Sequence, residues 1–256
     1  MASQSLERSY DDLQQRVRIL SAELQKERQE KVQLERLAAM GEMAMELAHE
    51  IRNPLGSIEL YASMLDGENA EQIVRSVRLL NHTVTNTLQF GKPIQPVPKS
   101  IDVGEMLEGV TSFIKPIAGQ KRIRIETKCE EGCRMVADPE LMHRMILNLV
   151  LNALRETPSH GTIRLKARTA GGKVTISIHD SGPGIPQQII NRMFDPMFST
   201  HREGCGLGLS IVKRIVDSHH GAIDVSSSSN GTTFRIHFKD ALRSNMEVVS
   251  EQVTCS

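Results

Sequence analysis

A short proline-rich segment divides this chain of 256 residues into two halves with different patterning. Gly91, Pro93, Pro96 and Pro98 follow one another closely. Proline lacks the backbone N–H that a helix needs, so closely spaced prolines favour a semi-rigid extended linker. Before this segment the apolar residues recur at helical spacing, whereas beyond it helical and strand patterns alternate. We therefore predict a domain boundary with a linker at residues 93–100.

The first 36 residues carry apolar residues at heptad spacing, surrounded by Gln, Glu, Arg and Lys. The two rows of this pattern are Leu6, Leu13, Leu20, Glu27 and Leu34, and Tyr10, Val17, Leu24, Lys31 and Ala38. Such rows predict a two-stranded coiled coil over residues 1–36 and therefore a homodimer. A single amphipathic helix packed on its own domain is the alternative, and it is disfavoured because residues 1–36 contain no other core.

Residues 37–92 have the pattern of a helical hairpin. The first helix is expected to reach about Leu65, and Asp66–Asn69 is typical of a tight connection. The second helix is expected over about Ala70–Phe90 with one apolar stripe. Two hairpins from two chains would bury both stripes in a four-helix bundle.

Residues 101–240 are expected to form an α/β sandwich, a mixed sheet with helices on one face. Strands are predicted at Arg122–Thr127, Thr162–Thr169, Lys173–Asp180, Ala222–Ser227 and Thr232–Phe238, and helices at Val103–Ala118, Pro139–Glu156 and Gly206–His219. The fold class is therefore α+β. The tail, residues 241–256, lacks periodicity and is predicted to be disordered.

Composition excludes several classes of protein. Lys plus Arg and Asp plus Glu number 31 each, and zero net charge argues against direct nucleic-acid binding. The longest uncharged apolar stretch, Met145–Leu154, contains two Asn and is too short to span a bilayer. The charged N-terminus does not resemble a signal peptide. Four cysteines without zinc-ligand spacing are expected to be reduced surface thiols, which fits the cytoplasm.

His49 lies in the first helix of the hairpin, within the segment His-Glu-Ile-Arg-Asn-Pro-Leu. The Glu50 carboxylate can accept the Nδ1 proton of the imidazole, which leaves Nε2 as a nucleophile. Asn53 lies one turn along the same face and can orient a water molecule. Pro54 cannot donate to the carbonyl of Glu50, so the helix is expected to bend at this turn. The alternative is a surface histidine beside a proline kink.

Two glycine clusters follow in the second half of the chain. Asp180-x-Gly182-x-Gly184 comes directly after a predicted strand, so its carboxylate can accept the amine of an adenine while the glycines admit the ring. The cluster at 204–208 opens a helix whose N–H groups and dipole can hold phosphates. A dinucleotide fold is disfavoured because no parallel βαβ unit surrounds the cluster.

Two asparagines lie between the histidine and the glycines. Asn148 and Asn152 are four residues apart on one helix, so both amides face the same side and suit Mg²⁺ and phosphate oxygens. Arg155 can reach the phosphates. Phe194–Phe198 carries two aromatics around a proline, which predicts a short lid over the nucleotide. A pair of surface amides and ordinary packing of the two Phe are the alternatives.

Together these segments resemble the cytoplasmic core of the bacterial sensor histidine kinases of two-component systems, over residues 36–240. The family's five boxes occur in order at His49–Leu55, Asn148–Ala153, Asp180–Ile185, Phe194–Thr200 and Gly204–Leu209. The form of the first box is most similar to the nitrogen-regulation subgroup, whose partners often activate sigma-54 promoters. The resemblance therefore implies such a regulator for this chain.

The resemblance implies a fold, an activity and roles for single residues. A coiled coil and a dimeric hairpin would precede an ATP-binding domain of the histidine-kinase/Hsp90 type. ATP would phosphorylate His49 with Glu50 as acid/base, and the phosphoryl group would pass to an aspartate of a response regulator receiver domain. Asn53 would position water for dephosphorylating that regulator. The implied nucleotide pocket comprises Asn152 as the Mg²⁺ ligand, Asp180 as the adenine reader, and Asn148, Arg155, Gly182, Gly184, Ile185, His201, Gly204, Cys205, Gly206, Leu207, Gly208 and Thr233.

The chain departs from the family pattern at two positions of the lid region. His201 stands where many relatives carry a Lys for the γ-phosphate, so closure is expected to be weaker or pH-dependent. Cys205 stands where Ser or Thr is commoner, and a thiol near a helix N-terminus can have a lowered pKa. We hypothesise that modifying Cys205 blocks ATP binding, against the alternative that it only fills a loop.

Two rival functions share some of these features. A chaperone, topoisomerase or serine-kinase ATPase of the same superfamily would carry the glycine boxes but would lack a hairpin with His-Glu-x-x-Asn-Pro. A non-catalytic dimeric scaffold would have a degenerate ATP site, whereas Asn152, Asp180 and both glycine boxes are intact. The sequence therefore favours the histidine kinase.

Overall fold

The structure is a computed structural model that describes residues 15, 16, 21, 51, 53–88, 93–200 and 206–239. The heptad seam, His49 and Glu50, the segment 201–205 and the C-terminal tail lie outside the described residues. The predictions made for them therefore stay predictions. The fold class is α+β, as expected, with a helical hairpin followed by a mixed sheet that carries helices.

The hairpin consists of α1, residues 53–63, and α2, Glu68–Leu88. The short connection between them lies where Asp66–Asn69 predicted it, and α2 begins two residues earlier than expected. A hydrogen bond of 2.8 Å from Arg78 Nε to Glu59 Oε1 joins the two helices. Large apolar side chains nevertheless stay exposed in this single chain, namely Ile58, Leu60, Tyr61, Met64, Leu65, Ile73 and Leu80.

The main sheet has five strands in the order β2-β4-β5-β7-β6. Their bounds are β2 Arg124–Cys129, β4 Thr162–Ala170, β5 Lys173–Asp180, β6 Ala222–Ser228 and β7 Gly231–Lys239. β2 pairs with β4 in parallel, whereas the other pairs are antiparallel. The hairpins β4–β5 and β6–β7 were both predicted, because strict alternation of apolar and polar residues is the signature of a half-buried strand.

A second sheet of two strands was missed by the sequence analysis. It pairs β1, Lys99–Asp102, with β3, Arg134–Ala137, in antiparallel orientation. Each strand has only four residues, which is too short for alternation to stand out. β1 also begins inside the segment 93–100 that was expected to be linker throughout.

The helices of this domain are α3 Val103–Gln120, α4 Pro139–Glu156, the short α5 Gln187–Ile190 and α6 Gly208–Ser218. α4 begins as predicted, because the Asp138 side chain accepts hydrogen bonds from the N–H groups of Glu140 and Leu141 at 3.0 and 3.1 Å. The proline at the first helical position needs no donor there. This cap fixes where the helix with the two asparagines starts.

The core lies between the helices and one face of the large sheet. The side chains that α4 and the sheet bury completely include Met142, Met145, Ile146, Leu149, Ile163, Leu165, Ile176, Ile178 and Phe234. Each such side chain contributes roughly 1.5–3 kcal/mol to folding. Cys133 also lies in this core, so the expectation of a surface thiol is wrong for that residue. Among the described residues, no helix combines the length and apolar character that a membrane crossing requires.

Candidate nucleotide site

A cavity of about 310 Å³ opens beside α4, at the end of the large sheet. Five segments line it: α2, α4, the loop from Gly184 to Ile189, the turn at Phe198–Thr200, and the start of α6. Of the predicted pocket residues, the cavity wall contains Asn148, Asn152, Arg155, Gly184, Ile185, Gly206 and Gly208. The fold thus brings together motifs that lie far apart in the sequence.

Asp180 ends β5 and is almost completely buried, with 2% of its surface exposed. Its Oδ1 accepts hydrogen bonds from the backbone N–H groups of Gly182, at 2.9 Å, and Thr232, at 3.4 Å. Burial raises the pKa of this carboxyl, and the two backbone donors act against that rise. Both donors bind Oδ1, so they leave Oδ2 as the second acceptor of the carboxylate. Asp180 is not itself part of the cavity wall, whereas Gly184 and Ile185, which follow it in the chain, are.

The glycines of the first cluster are required by close packing of the backbone. A Cβ at Gly184, where φ is +81°, would lie 2.0 Å from the carbonyl oxygen of Ser228. A Cβ at Gly182 would lie 2.9 Å from the carbonyl oxygen of Glu156. These glycines were predicted to admit an adenine ring. The structure shows that they first allow this loop to pack against β6 and against the end of α4.

The phosphate end of the cavity contains the two asparagines of α4. Asn148 is buried, with 7% of its surface exposed, whereas Asn152 is half-buried and Arg155 is exposed. A Cβ at Gly208, the first residue of α6, would lie 3.6 Å from Oδ1 of Asn148. The amide of Asn148 therefore lies beside the helix N-terminus that was predicted to hold phosphates.

Helix α2 contributes residues that the sequence analysis did not assign to the pocket. His82 Nε2 lies 3.0 Å from Asn148 Oδ1, and Asn86 Nδ2 donates to the same oxygen at 2.7 Å. Arg144 Nε in turn donates to Asn86 Oδ1 at 2.6 Å, and Arg144 Nη2 donates to the carbonyl of Thr85 at 3.2 Å. Burial lowers the pKa of His82, so this imidazole is neutral at neutral pH. In the sequence, the local sign of this contact was a charged residue, Arg144, among the apolar residues of α4.

The lid region is described up to Thr200 and again from Gly206. The guanidinium of Arg192 lies 5.0 Å from the centre of the Phe198 ring. A Cβ at Gly206, where φ is +67°, would lie 2.5 Å from the carbonyl carbon of Met197. The lid turn and the start of α6 therefore pack backbone against backbone. His201, Gly204 and Cys205 lie outside the described residues.

Thr233, which was predicted for the pocket, does not line this cavity, because residues alternate between the two faces of a strand. Thr233 lies opposite His179 on the outer face of the sheet, where its Oγ1 is 3.0 Å from His179 Nδ1. Its neighbour Thr232 lies opposite Asp180 and is buried. Thr232 supplies the backbone donor to Asp180.

Leu207, another residue predicted for the pocket, is buried, and its carbonyl accepts a hydrogen bond from Ser210 at 2.9 Å.

Asn53, the described member of the predicted histidine site, is exposed on α1 and does not line the cavity. Of the hairpin, the described residues that line the cavity belong to α2. Within the described part of the chain, no group of three or more His, Cys, Asp or Glu could hold a metal ion. A cation at this site would need amide oxygens and ligand phosphates as its partners.

The polar groups of the cavity fit a nucleoside triphosphate. Nδ2 of Asn148 is buried without a hydrogen-bond partner among the described residues, and a phosphate oxygen is an acceptor that would satisfy it. The carboxylate of Asp180, which is buried and precedes the wall residues Gly184 and Ile185 in the chain, suits the amine of a purine. The amides, Arg155 and a helix N-terminus of the wall suit an anion.

Comparison with known families agrees with this geometry. Residues 39–96 match the His Kinase A phospho-acceptor domain, and residues 137–242 match the family of histidine kinase-, DNA gyrase B- and HSP90-like ATPases. The chain belongs to the sensor histidine kinases. The order of the two domains in this family, acceptor hairpin before ATPase, is the order predicted from the sequence.

Individual sensor histidine kinases resemble the chain over most of its length. The sensor histidine kinase ZraS of Klebsiella oxytoca is 35% identical over 206 residues, which cover 76% of this chain and 44% of that protein. The full-length structure of ShkA in complex with AMPPNP has a TM-score of 0.60 at 27% identity, over 78% of this chain and 46% of that one. The structure of the histidine kinase ThkA in complex with the response regulator TrrA has a TM-score of 0.57 at 28% identity. The match covers 81% of this chain and 64% of that one. The chain spans less than half the length of the curated relatives it matches.

Proposed function

We propose that this chain is an ATP-dependent protein-histidine kinase that phosphorylates His49 and passes the phosphoryl group to an aspartate of a response regulator. The observation that carries the proposal is a cavity whose wall contains both asparagines of α4 and Gly184, which follows the buried carboxylate of Asp180. Gly182 and Thr232 hold that carboxylate. The hairpin with His-Glu-x-x-Asn-Pro supplies the acceptor, and the relatives named above are sensor kinases.

In this proposal the two ends of the cavity have different tasks. Oδ2 of Asp180 accepts a hydrogen bond from the adenine amine, which orients the base. Asn148, Arg155 and the N-terminus of α6 hold the phosphates, together with His201, Gly204 and Cys205 of the lid region. Asn152 would supply an amide oxygen to a Mg²⁺ ion, which neutralises charge on the phosphates when bound.

The chemical step is a phosphoryl transfer between nitrogen and oxygen. Nε2 of His49 attacks the γ-phosphorus, the bond from that phosphorus to the bridging β–γ oxygen breaks, and ADP leaves. Glu50 accepts the Nδ1 proton, which favours the nucleophilic form of the imidazole. In the second step the phosphoryl group moves from His49 Nε2 to an aspartate carboxylate of the regulator. Glu50 returns the proton to Nδ1, so the neutral imidazole is regenerated.

The proposal includes a homodimer acting on the cytoplasmic side. The apolar side chains that the single hairpin leaves exposed, such as Tyr61 and Met64, need a partner surface. A second copy of the hairpin would cover them in a four-helix bundle. The heptad rows in residues 1–36 would extend the same dimer.

The direct test is incubation of the chain with ATP labelled at the γ-phosphate. We expect a label that is stable in base and labile in acid, which is the behaviour of a phosphohistidine, and we expect His49→Gln to abolish it. Ser76→Ala changes an exposed serine of α2 and should leave the label unchanged. A label that survives in His49→Gln would refute the assignment of the acceptor.

We further propose that the chain dephosphorylates its regulator and that the regulator activates sigma-54 promoters. Exposure of Asn53 on α1 supports the first point, because a docked receiver domain could reach its amide. The form of the first box supports the second. Asn53→Ala should slow loss of phosphate from a phosphorylated receiver domain at least 10-fold while leaving autophosphorylation within twofold. Phosphotransfer profiling against a panel of receiver domains would identify the regulator.

A further inference from the structure

Helix α2 reaches into the phosphate end of the nucleotide cavity. His82, Thr83 and Asn86 form part of the cavity wall, although they belong to the hairpin and the rest of the wall belongs to the ATPase domain. The contact is polar and specific, because two α2 side chains lie within 3.0 Å of the same amide oxygen of Asn148. The hairpin therefore contacts the cavity wall at Asn148.

Arg144 determines how this contact is oriented. Its Nε donates to Asn86 at 2.6 Å, so the atom of Asn86 that accepts must be Oδ1. The Nδ2 of Asn86 then points at Asn148 and donates at 2.7 Å, so the accepting atom there must also be Oδ1. Arg144, Asn86 and Asn148 thus form a relay in which each amide has one allowed orientation.

The relay keeps Asn148 away from a ligand. Its Oδ1 is engaged by α2, and its Nδ2 is buried, with no hydrogen-bond partner among the described residues. A buried donor without a partner costs about 1–3 kcal/mol. Nδ2 is buried while α2 is docked, so a phosphate oxygen can bond to it and recover this energy only after α2 moves or the amide turns. A turn of the amide would break the hydrogen bond from Asn86. The docked position of α2 therefore opposes phosphate binding at Asn148.

We propose that α2 is a latch on the phosphate end of the pocket, held by Arg144 and Asn86, and that binding of ATP phosphates releases it. The proposal rests on the proposed function, since it assigns a regulation to that nucleotide site. Release of α2 frees the ATPase domain from the helix on which it is docked. Nucleotide occupancy is thereby coupled to the separation of the domain from the hairpin.

The test measures equilibrium binding of ATP and of adenosine to the full chain. Asn86→Ala and Arg144→Met each remove two hydrogen bonds that hold α2. Less of the binding energy is then spent on releasing the helix, and ATP should bind about 5- to 10-fold tighter. Adenosine lacks phosphates and should bind equally to all variants. Ser76→Ala, on the same helix, is the control and should match the wild type.

Amide hydrogen exchange supplies the readout that does not depend on nucleotide. In the absence of ligand, Asn86→Ala and Arg144→Met should raise exchange in residues 79–86 of α2, whereas Ser76→Ala should not. ATP should raise exchange in the same residues of the wild type. Circular dichroism and the melting temperature would verify that each variant is folded.

Two results would overturn the latch. Weaker ATP binding by Asn86→Ala would mean that α2 completes the pocket, and unchanged exchange in both latch variants would mean that the relay does not hold the helix. Failure of every variant and of the wild type to bind ATP would instead refute the proposed function. In that case the exchange experiment still decides whether the latch exists.

Discussion

Two parts of the candidate nucleotide site are built in different ways. The Asp180 end, which reaches the cavity wall at Gly184, consists of backbone. Its donors are N–H groups of Gly182 and Thr232, and its shape comes from glycines packed against carbonyl oxygens. The Asn148 end consists of side chains from α2, α4 and α6, and one of its amide donors lacks a partner. The first end is complete in the folded domain, whereas the second can rearrange.

Gly184→Ala should have the largest effect, because it places a side chain where the Asp180 end is packed backbone against backbone. The new Cβ would lie 2.0 Å from the Ser228 carbonyl oxygen at a φ of +81°, so β6 or the loop must shift. We expect the free energy of unfolding to fall by about 3–4 kcal/mol. Gly171→Ala is the matched control, since φ there is +59° but the space is open, and about 1 kcal/mol is expected. Equal losses in the two variants in denaturant titrations would contradict this.

Asp180→Asn should remove base recognition while keeping the fold. An Asn Oδ1 can still accept from Gly182 and Thr232, but the other atom becomes a donor that faces the adenine amine. We expect affinity for ATP and for adenosine to fall together by about 100-fold, since a hydrogen bond to a buried charge is lost and two donors are opposed. Calorimetric titration of both ligands checks this. A loss confined to ATP would place Asp180 at the phosphates instead.

Asn152→Ala tests the side-chain-built end and should have a smaller effect. Removal of one amide oxygen should weaken binding of ATP in the presence of Mg²⁺ by about 10-fold, because the ion keeps its phosphate and water ligands. Binding of adenosine should not change. Equal ATP affinities with and without Mg²⁺ in the wild type would show that Asn152 has no ion to hold.

The smallest expected effect is a pH dependence that belongs to the Asp180 end. Burial raises the pKa of this carboxyl in the folded chain, so protonation occurs at a higher pH than in an ordinary aspartate. Adenosine affinity should therefore fall as the pH is lowered through that raised pKa, in a range where the unfolded chain is still ionised. In the same range the folded state takes up the proton first, so this group makes folding more favourable as the pH falls. Asp180→Asn should remove both trends.

Sequence patterning predicted the backbone-built end better than the side-chain-built end. Asp180 follows a strand whose alternation is clear, and its glycines lie within four residues of it. Thr233 was predicted for the pocket, but it lies on the outer face of the sheet and Thr232 lies on the inner one, since neighbouring residues of a strand face opposite sides. The contact between Asn86 and Arg144 joins residues 58 positions apart and leaves no local pattern. Such pairings depend on how two domains dock, which neither propensity nor periodicity encodes.

The pairing of Thr232 with Asp180 also has a consequence for the order in which the chain is made. The donor that holds the carboxylate comes from β7, the last strand of the sheet, 52 residues after the aspartate it serves. A nascent chain of 230 residues already contains all five sequence boxes. It still lacks the Thr232 donor, so its base-binding end is incomplete. A product truncated before Gly231 would retain every motif in its sequence but would bind adenosine poorly.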